Sequence, residues 1–243
     1  MSPTRSPLDQ ALRLPGVWRA RDVARAEAPG VPPGWRDLDG RLPGGGWPRG
    51  ALTELLPGRE GLGELGLLLP ALARLSQAGG CVLLVAPPHS PHAPAWAAAG
   101  VKLDGLRLVF PRSPRDALWA GVEALRCADV AATLLWLDGF FRAGLPANSL
   151  RRLQLAAGEG GGAAFCFRPA QLAGQASPAP LRLGLAAAGR RLRVSLLKRR
   201  GPPAGQDLLL DLARPARHFP ATDHALAGAA LPAAGRQRRR VAA

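Results

Sequence analysis

Short apolar runs alternate with helix-length segments through the middle of this chain, and that alternation restricts the fold more than any other feature. Residues 81–86 (CVLLVA) are apolar throughout and close at Pro87 and Pro88. A strand with one wet face alternates apolar and polar residues. An unbroken apolar run of this length instead suits a strand covered on both faces, as in a parallel sheet. Residues 131–138 (AATLLWLD) read the same way, and 51–56 (ALTELL), 106–110 (LRLVF) and 163–168 (AAFCFR) add three more strands. Between them lie 66–78, 94–99, 114–126 and 149–157, segments dominated by good helix formers. Ser113 stands where a helix cap is needed, with Pro114 at the first helical position. Strand and helix in turn at this spacing predict an α/β domain built on a parallel sheet flanked by helices.

After residue 180 the pattern changes. Residues 181–185 (LRLGL), 191–197 (RLRVSLL) and 208–212 (LLLDL) are strand-like with no helix between them. The first two alternate apolar and polar and are joined by AAAGR, so an antiparallel C-terminal extension is expected. Residues 1–33 read as a flexible or partly helical N-terminal segment, 34–212 as the domain, and 213–243 as a basic, disordered tail. A chain of 243 residues is long enough for one sizeable core. No apolar run reaches the roughly 18 residues of a membrane span. MSPTRSPLDQ also lacks the apolar stretch of a secretory signal, so a cytoplasmic chain without membrane contact is expected.

The chemistry-bearing stretch is LPGREGLGEL, residues 56–65. Gly58, four residues and Gly63 outline a phosphate loop, but Glu64 and Leu65 stand where Lys and Ser or Thr belong. Such a loop surrounds phosphates with backbone N–H groups and a helix N-terminus, while the Lys contacts the outer phosphates and the hydroxyl binds Mg²⁺. At about 4 Å two unit charges interact by roughly 1 kcal/mol in water and about 4 kcal/mol at an effective dielectric of 20. Exchanging cation for carboxylate turns that attraction into repulsion. A degenerate nucleotide site without cofactor or turnover is therefore expected. Asp138, at the end of a strand, reads either as a metal-organising acid or as a cap on the next turn.

Several segments match a known family in order. GWRDLDGRLPGGGWPRGALTELLPG, residues 34–58, resembles the part of the RecA recombinase leading into its phosphate loop, through Gly34, Leu38, Asp39, Gly44, Gly45, Gly46, Gly50 and Glu54. PGGGWPRGALTELLP, ALARLSQAGGCVLLVAPPH, RDALWAGVEALR, SLRRLQLAA and LKRRGPPAG are similar to the ImuA family, RecA-like proteins of bacterial translesion DNA synthesis; the resemblance covers about residues 34–212. It implies a RecA-like fold and a role in the SOS response beside an ImuB-type Y-family polymerase homologue and an error-prone C-family DNA polymerase, with RecA as a further partner. It also implies that Pro88 or His89 replaces the catalytic glutamate of RecA, and Arg168 its γ-phosphate-sensing Gln. His89 is weighed as a substitute base. A shorter related family, the SulA-like division inhibitors, and a divergent ATPase are the alternatives.

The net charge is +15, almost all of it from arginine. Coding bias towards Arg, Ala, Gly and Pro explains this as well as a polyanion partner does. Arg168, then Lys198, Arg199 and Arg200, and Arg238, Arg239 and Arg240 in the tail, are candidate contacts to a partner or weakly to DNA; a solvated strand end is the plain alternative for Lys198 to Arg200. Trp47, on a Gly- and Pro-rich turn, reads either as an interface anchor or as a lid on the core, while Trp35, Trp96, Trp119 and Trp136 read as core or turn anchors. Cys81, Cys127 and Cys166 follow neither a disulfide nor a zinc spacing and read as buried thiols, and no metal is expected.

Overall fold

The computed structural model describes residues 29–137, 140–141, 144–200 and 206–212. In chain order its elements are α1 (Arg36–Asp39), β1 (Ala51–Pro57), α2 (Glu64–Gln77), β2 (Cys81–Val85), α3 (Ala93–Ala98), β3 (Leu106–Val109), α4 (Pro114–Arg126), β4 (Val130–Trp136), α5 (Ser149–Gly160), β5 (Ala163–Phe167), β6 (Leu181–Ala188), β7 (Arg191–Lys198) and β8 (Leu208–Leu210). All eight strands join one sheet in the order β3-β2-β4-β5-β1-β6-β7-β8. From β3 to β6 every pairing is parallel; β6 with β7 and β7 with β8 are antiparallel. The expected parallel core with an antiparallel C-terminal edge is what forms.

Each side of the sheet has its own apolar cluster. Trp35, Leu38, Leu67, Leu72 and Trp96, from α1 to α3 and the turn before them, pack on Leu55, Leu84, Leu134 and Phe165. On the other side Val122, Leu125 and Leu153 of α4 and α5 pack on Leu52, Val85, Leu135 and Ala164. Alternate residues of β1 thus serve opposite layers, so this strand is buried on both faces although Thr53 and Glu54 interrupt its apolar run. At α4, the Ser113 hydroxyl accepts the Asp116 N–H at 3.1 Å, the cap read from sequence. The β6–β7 hairpin turns at Gly189, whose φ of 63° is left-handed, and β6 runs on through Ala186 to Ala188, which were expected in the connection.

Three expectations change. Val31, assigned to the leading segment, exchanges two backbone hydrogen bonds of 2.8 Å with Trp47 and is buried in the first cluster. A methyl group added to Gly46 would meet the Val31 carbonyl oxygen at 2.4 Å, so this close backbone approach needs glycine there. Trp119 is no anchor: it lies on the outer side of α4 and is 65% exposed, whereas Trp35, Trp96 and Trp136 are buried. Trp136 stacks on Phe167 with ring centroids 4.4 Å apart.

The thiols differ as well, for only Cys166 is buried, Cys81 is half-buried and Cys127 is exposed. Burial pushes the Cys81 thiol up, with Arg107 opposing it. Alkylation of the native protein near neutral pH should therefore modify Cys127 first, Cys81 more slowly and Cys166 only on unfolding. Peptide mapping over time reads that order. No described helix is long and apolar enough to cross a membrane. Among the described residues no group of His, Cys, Asp and Glu could hold a metal ion.

Candidate functional site

Loops at the carboxyl ends of parallel strands are where ligands bind in sheets of this kind, and the loop after β1 is the stretch from Gly58 to Gly63. Gly58 donates its N–H to the Leu185 carbonyl at 2.9 Å, so this amide is committed to β6. Gly63 has a φ of 89° and caps α2, which begins at Glu64. The helix starts two residues before the expected segment, with left-handed Gly63 as its N-cap residue. Glu64 turns its carboxylate back over the loop, where Oε1 accepts the Gly61 N–H at 3.3 Å. Its Oε2 is shielded from solvent and makes no hydrogen bond. An acid in the first turn also complements the helix dipole. One loop amide is thus met by a carboxylate of the chain itself.

An apolar side chain closes the same place. A methyl group added at Gly63 would lie 2.5 Å from Leu212 Cδ1, and one at Gly66 would lie 3.5 Å from it. Leu65 and Leu212 are both partly buried against the first cluster. Leu65 is therefore a packing residue, without the hydroxyl that would bind Mg²⁺. On the next loop His89 Nε2 lies 3.6 Å from Glu60 Oε2, with both side chains largely exposed. Asp138 lies outside the described residues.

Arg168 belongs to an arrangement the sequence reading missed. Glu54, fully buried in the middle of β1, receives three donors: Arg168 Nη1 at 3.1 Å and Ser177 Oγ at 2.8 Å on Oε1, and Arg182 Nε at 2.7 Å on Oε2. Arg182 sits opposite Glu54 in the β1–β6 register and also donates from Nη1 to the Ala173 carbonyl and from Nη2 to the Leu172 carbonyl, both at 3.0 Å. The carboxylate thereby fastens the segment between β5 and β6 across the sheet. Arg168, only 5% exposed, is an internal ion-pair partner and not the surface contact expected of it. A mid-strand acid between leucines was the available signal, since a buried carboxylate must find cations; which arginines answer it depends on strand order.

The remaining candidates divide. Trp47 is fully buried and meets Phe165 edge-to-face at 5.4 Å, so of the two readings the core lid holds. Lys198 donates to the Ser177 carbonyl at 2.7 Å, and Arg199 to the Arg41 carbonyl. These two cations brace neighbouring segments, while Lys198 and Arg200 remain solvent-exposed. Arg238, Arg239 and Arg240 lie outside the described residues. Arg168 also borders a cavity of about 510 Å³ whose wall includes Ser149, Arg151 and Gln175.

No family model matches the chain. Protein RecA of Picosynechococcus sp. is 31% identical to it over 114 residues, which is 47% of this chain and 32% of that protein. The match thus spans about a third of the curated relative. Together with the sheet, this similarity supports a RecA-like relationship.

Proposed function

We propose that this chain is a non-catalytic, RecA-like adaptor in SOS-induced translesion DNA synthesis. It would contact an ImuB-type Y-family polymerase homologue and, through that complex, an error-prone C-family polymerase. RecA is a further candidate partner, and DNA contact is weak or indirect. In this reading the chain is cytoplasmic and reaches the nucleoid when recruited. The distant RecA similarity supports a place in DNA repair, and the ImuA-like segments support translesion synthesis in particular.

The observation that carries the non-catalytic reading is the Glu64 carboxylate on the Gly61 N–H, the kind of donor that would otherwise meet a phosphate. Leu212 over Gly63 adds a steric reason. Titration calorimetry with ATP and Mg²⁺ is expected to show no micromolar binding, and saturable heat in that range would overturn the reading. Glu64→Lys should leave phosphate release at background, since neither a hydroxyl at position 65 nor an established base is supplied. For partners, the purified polymerase homologue should retain the chain in a pull-down while the division protein FtsZ should not; the reverse would favour the SulA-like alternative.

A further inference from the structure

Helices α4 and α5 cover one side of the sheet over β2, β4 and β5, and the segment fastened by Glu54 lies across β1 and β6. Beyond that segment, residues pointing to the same side are open to solvent. On β7 they are Arg191, Arg193 and Leu197, with Ser195 half-buried between them, and the first two alternate with the buried Leu192 and Val194. Across the register Arg193 faces Ala186 on β6 and Leu209 on β8. Gly184 lies under Leu197, for a methyl group there would come within 3.5 Å of Leu197 Cδ1. Leu197 and Leu209 are 45% and 46% exposed. The result is a sheet face with small residues on β6, two leucines and two arginines; the β6–β7 register shifts beside Leu197, and Arg191 borders a groove that Asp37 and Asp211 also line. Neither arginine makes an ion pair among the described residues.

We propose that this face of β6, β7 and β8 docks an acidic protein surface, with Leu197 and Leu209 meeting apolar side chains and Arg191 and Arg193 meeting carboxylates around them. This deepens the adaptor reading by naming the contact face and the chemistry it selects. Charge decides among occupants. A second copy would bring another +15 to a face that is already cationic. The segment after residue 212 is no better suited, since its arginines outnumber its one acid, Asp223. Nucleic acid would satisfy the arginines but would set two leucines against phosphates, and the face has no aromatic ring on which bases stack. An acidic protein satisfies both features, with an apolar centre for burial and carboxylates for the arginines.

The test uses the full chain and two probes: a fluorescent peptide of Glu and Leu in amphipathic helical spacing, and the purified polymerase homologue. The peptide should bind the parent chain. Affinity should fall about tenfold in R191E/R193E and severalfold in L197S/L209S, with melting temperatures unchanged and binding to a single-stranded oligonucleotide insensitive to the leucine changes. No peptide binding by the parent chain, or equal binding by all three proteins, overturns the proposal whatever the homologue does. So does oligonucleotide binding that falls with the leucine variants, which would give the face to DNA. If the homologue binds parent and variants alike, this face is not the contact and the adaptor reading stands. If the peptide behaves as expected and the homologue does not bind, the face stands and the adaptor reading falls.

Discussion

Glu54→Ala is expected to destabilise the protein by about 3–5 kcal/mol, the loss typical of removing one partner from a buried ion pair. For a domain of this size that lowers the melting temperature by roughly 10 °C. The large figure follows from what remains. Arg168 and Arg182 would keep guanidinium groups 5–7% exposed with no carboxylate near them. Arg182 retains two backbone carbonyls. Arg168 retains only Gln175 Oε1 at 3.4 Å. It should therefore swing into the adjoining cavity, loosening the segment between β5 and β6. Hydrogen exchange should show that segment opening first, while β2 and β4 keep their protection. Replacing Glu54, Arg168 and Arg182 together by apolar residues of similar size should restore much of the stability, because no stranded charge is left. If Glu54→Ala melts within about 2 °C of the parent chain, water reaches the cluster and the burial argument fails.

The same cluster marks where sequence reading stops. Strand identities were legible because two-sided burial writes itself as unbroken apolar runs, as at residues 81–86, and the Ser113 cap because its partner lies three residues away. The antiparallel edge was legible from period-two alternation in β7. Sheet order is not local: β1 lies between β5 and β6, which pairs Glu54 with Arg182, 128 residues away. No pattern in LRLGL says that its arginine faces inward while the arginines of RLRVSLL face water. At the loop the identity of Glu64 was legible, but its contact with Gly61 is not, nor is the approach of Leu212 to Gly63. Trp119 failed for a simpler reason. Tryptophan is apolar enough to suggest burial, but on α4 it falls two positions from both Ala117 and Gly121, on the wrong side of a helix whose inward face those residues mark.

Trp47→Ala is the second substitution with a large expected effect, about 3–5 kcal/mol for deleting a fully buried indole whose surroundings cannot collapse to fill the space. Collapse is resisted from several directions. Phe165 stands edge-on to the ring from the central strand β5. The backbone around Trp47 is held by Val31, and Gly46 leaves no side chain to move in. Trp47→Phe separates volume from polarity. The indole Nε1 is buried without a hydrogen-bond partner, and an unsatisfied buried donor costs about 1–3 kcal/mol. Removing it offsets part of the lost packing, so this variant should lose less than about 2 kcal/mol. An interface anchor would behave in the opposite way, losing partner affinity at unchanged stability. Melting curves, and binding of both variants to the polymerase homologue proposed above as partner, decide the matter. Core burial requires Trp47→Ala to unfold early and Trp47→Phe to bind like the parent chain. A Trp47→Ala protein that melts normally but no longer binds would return this residue to the surface.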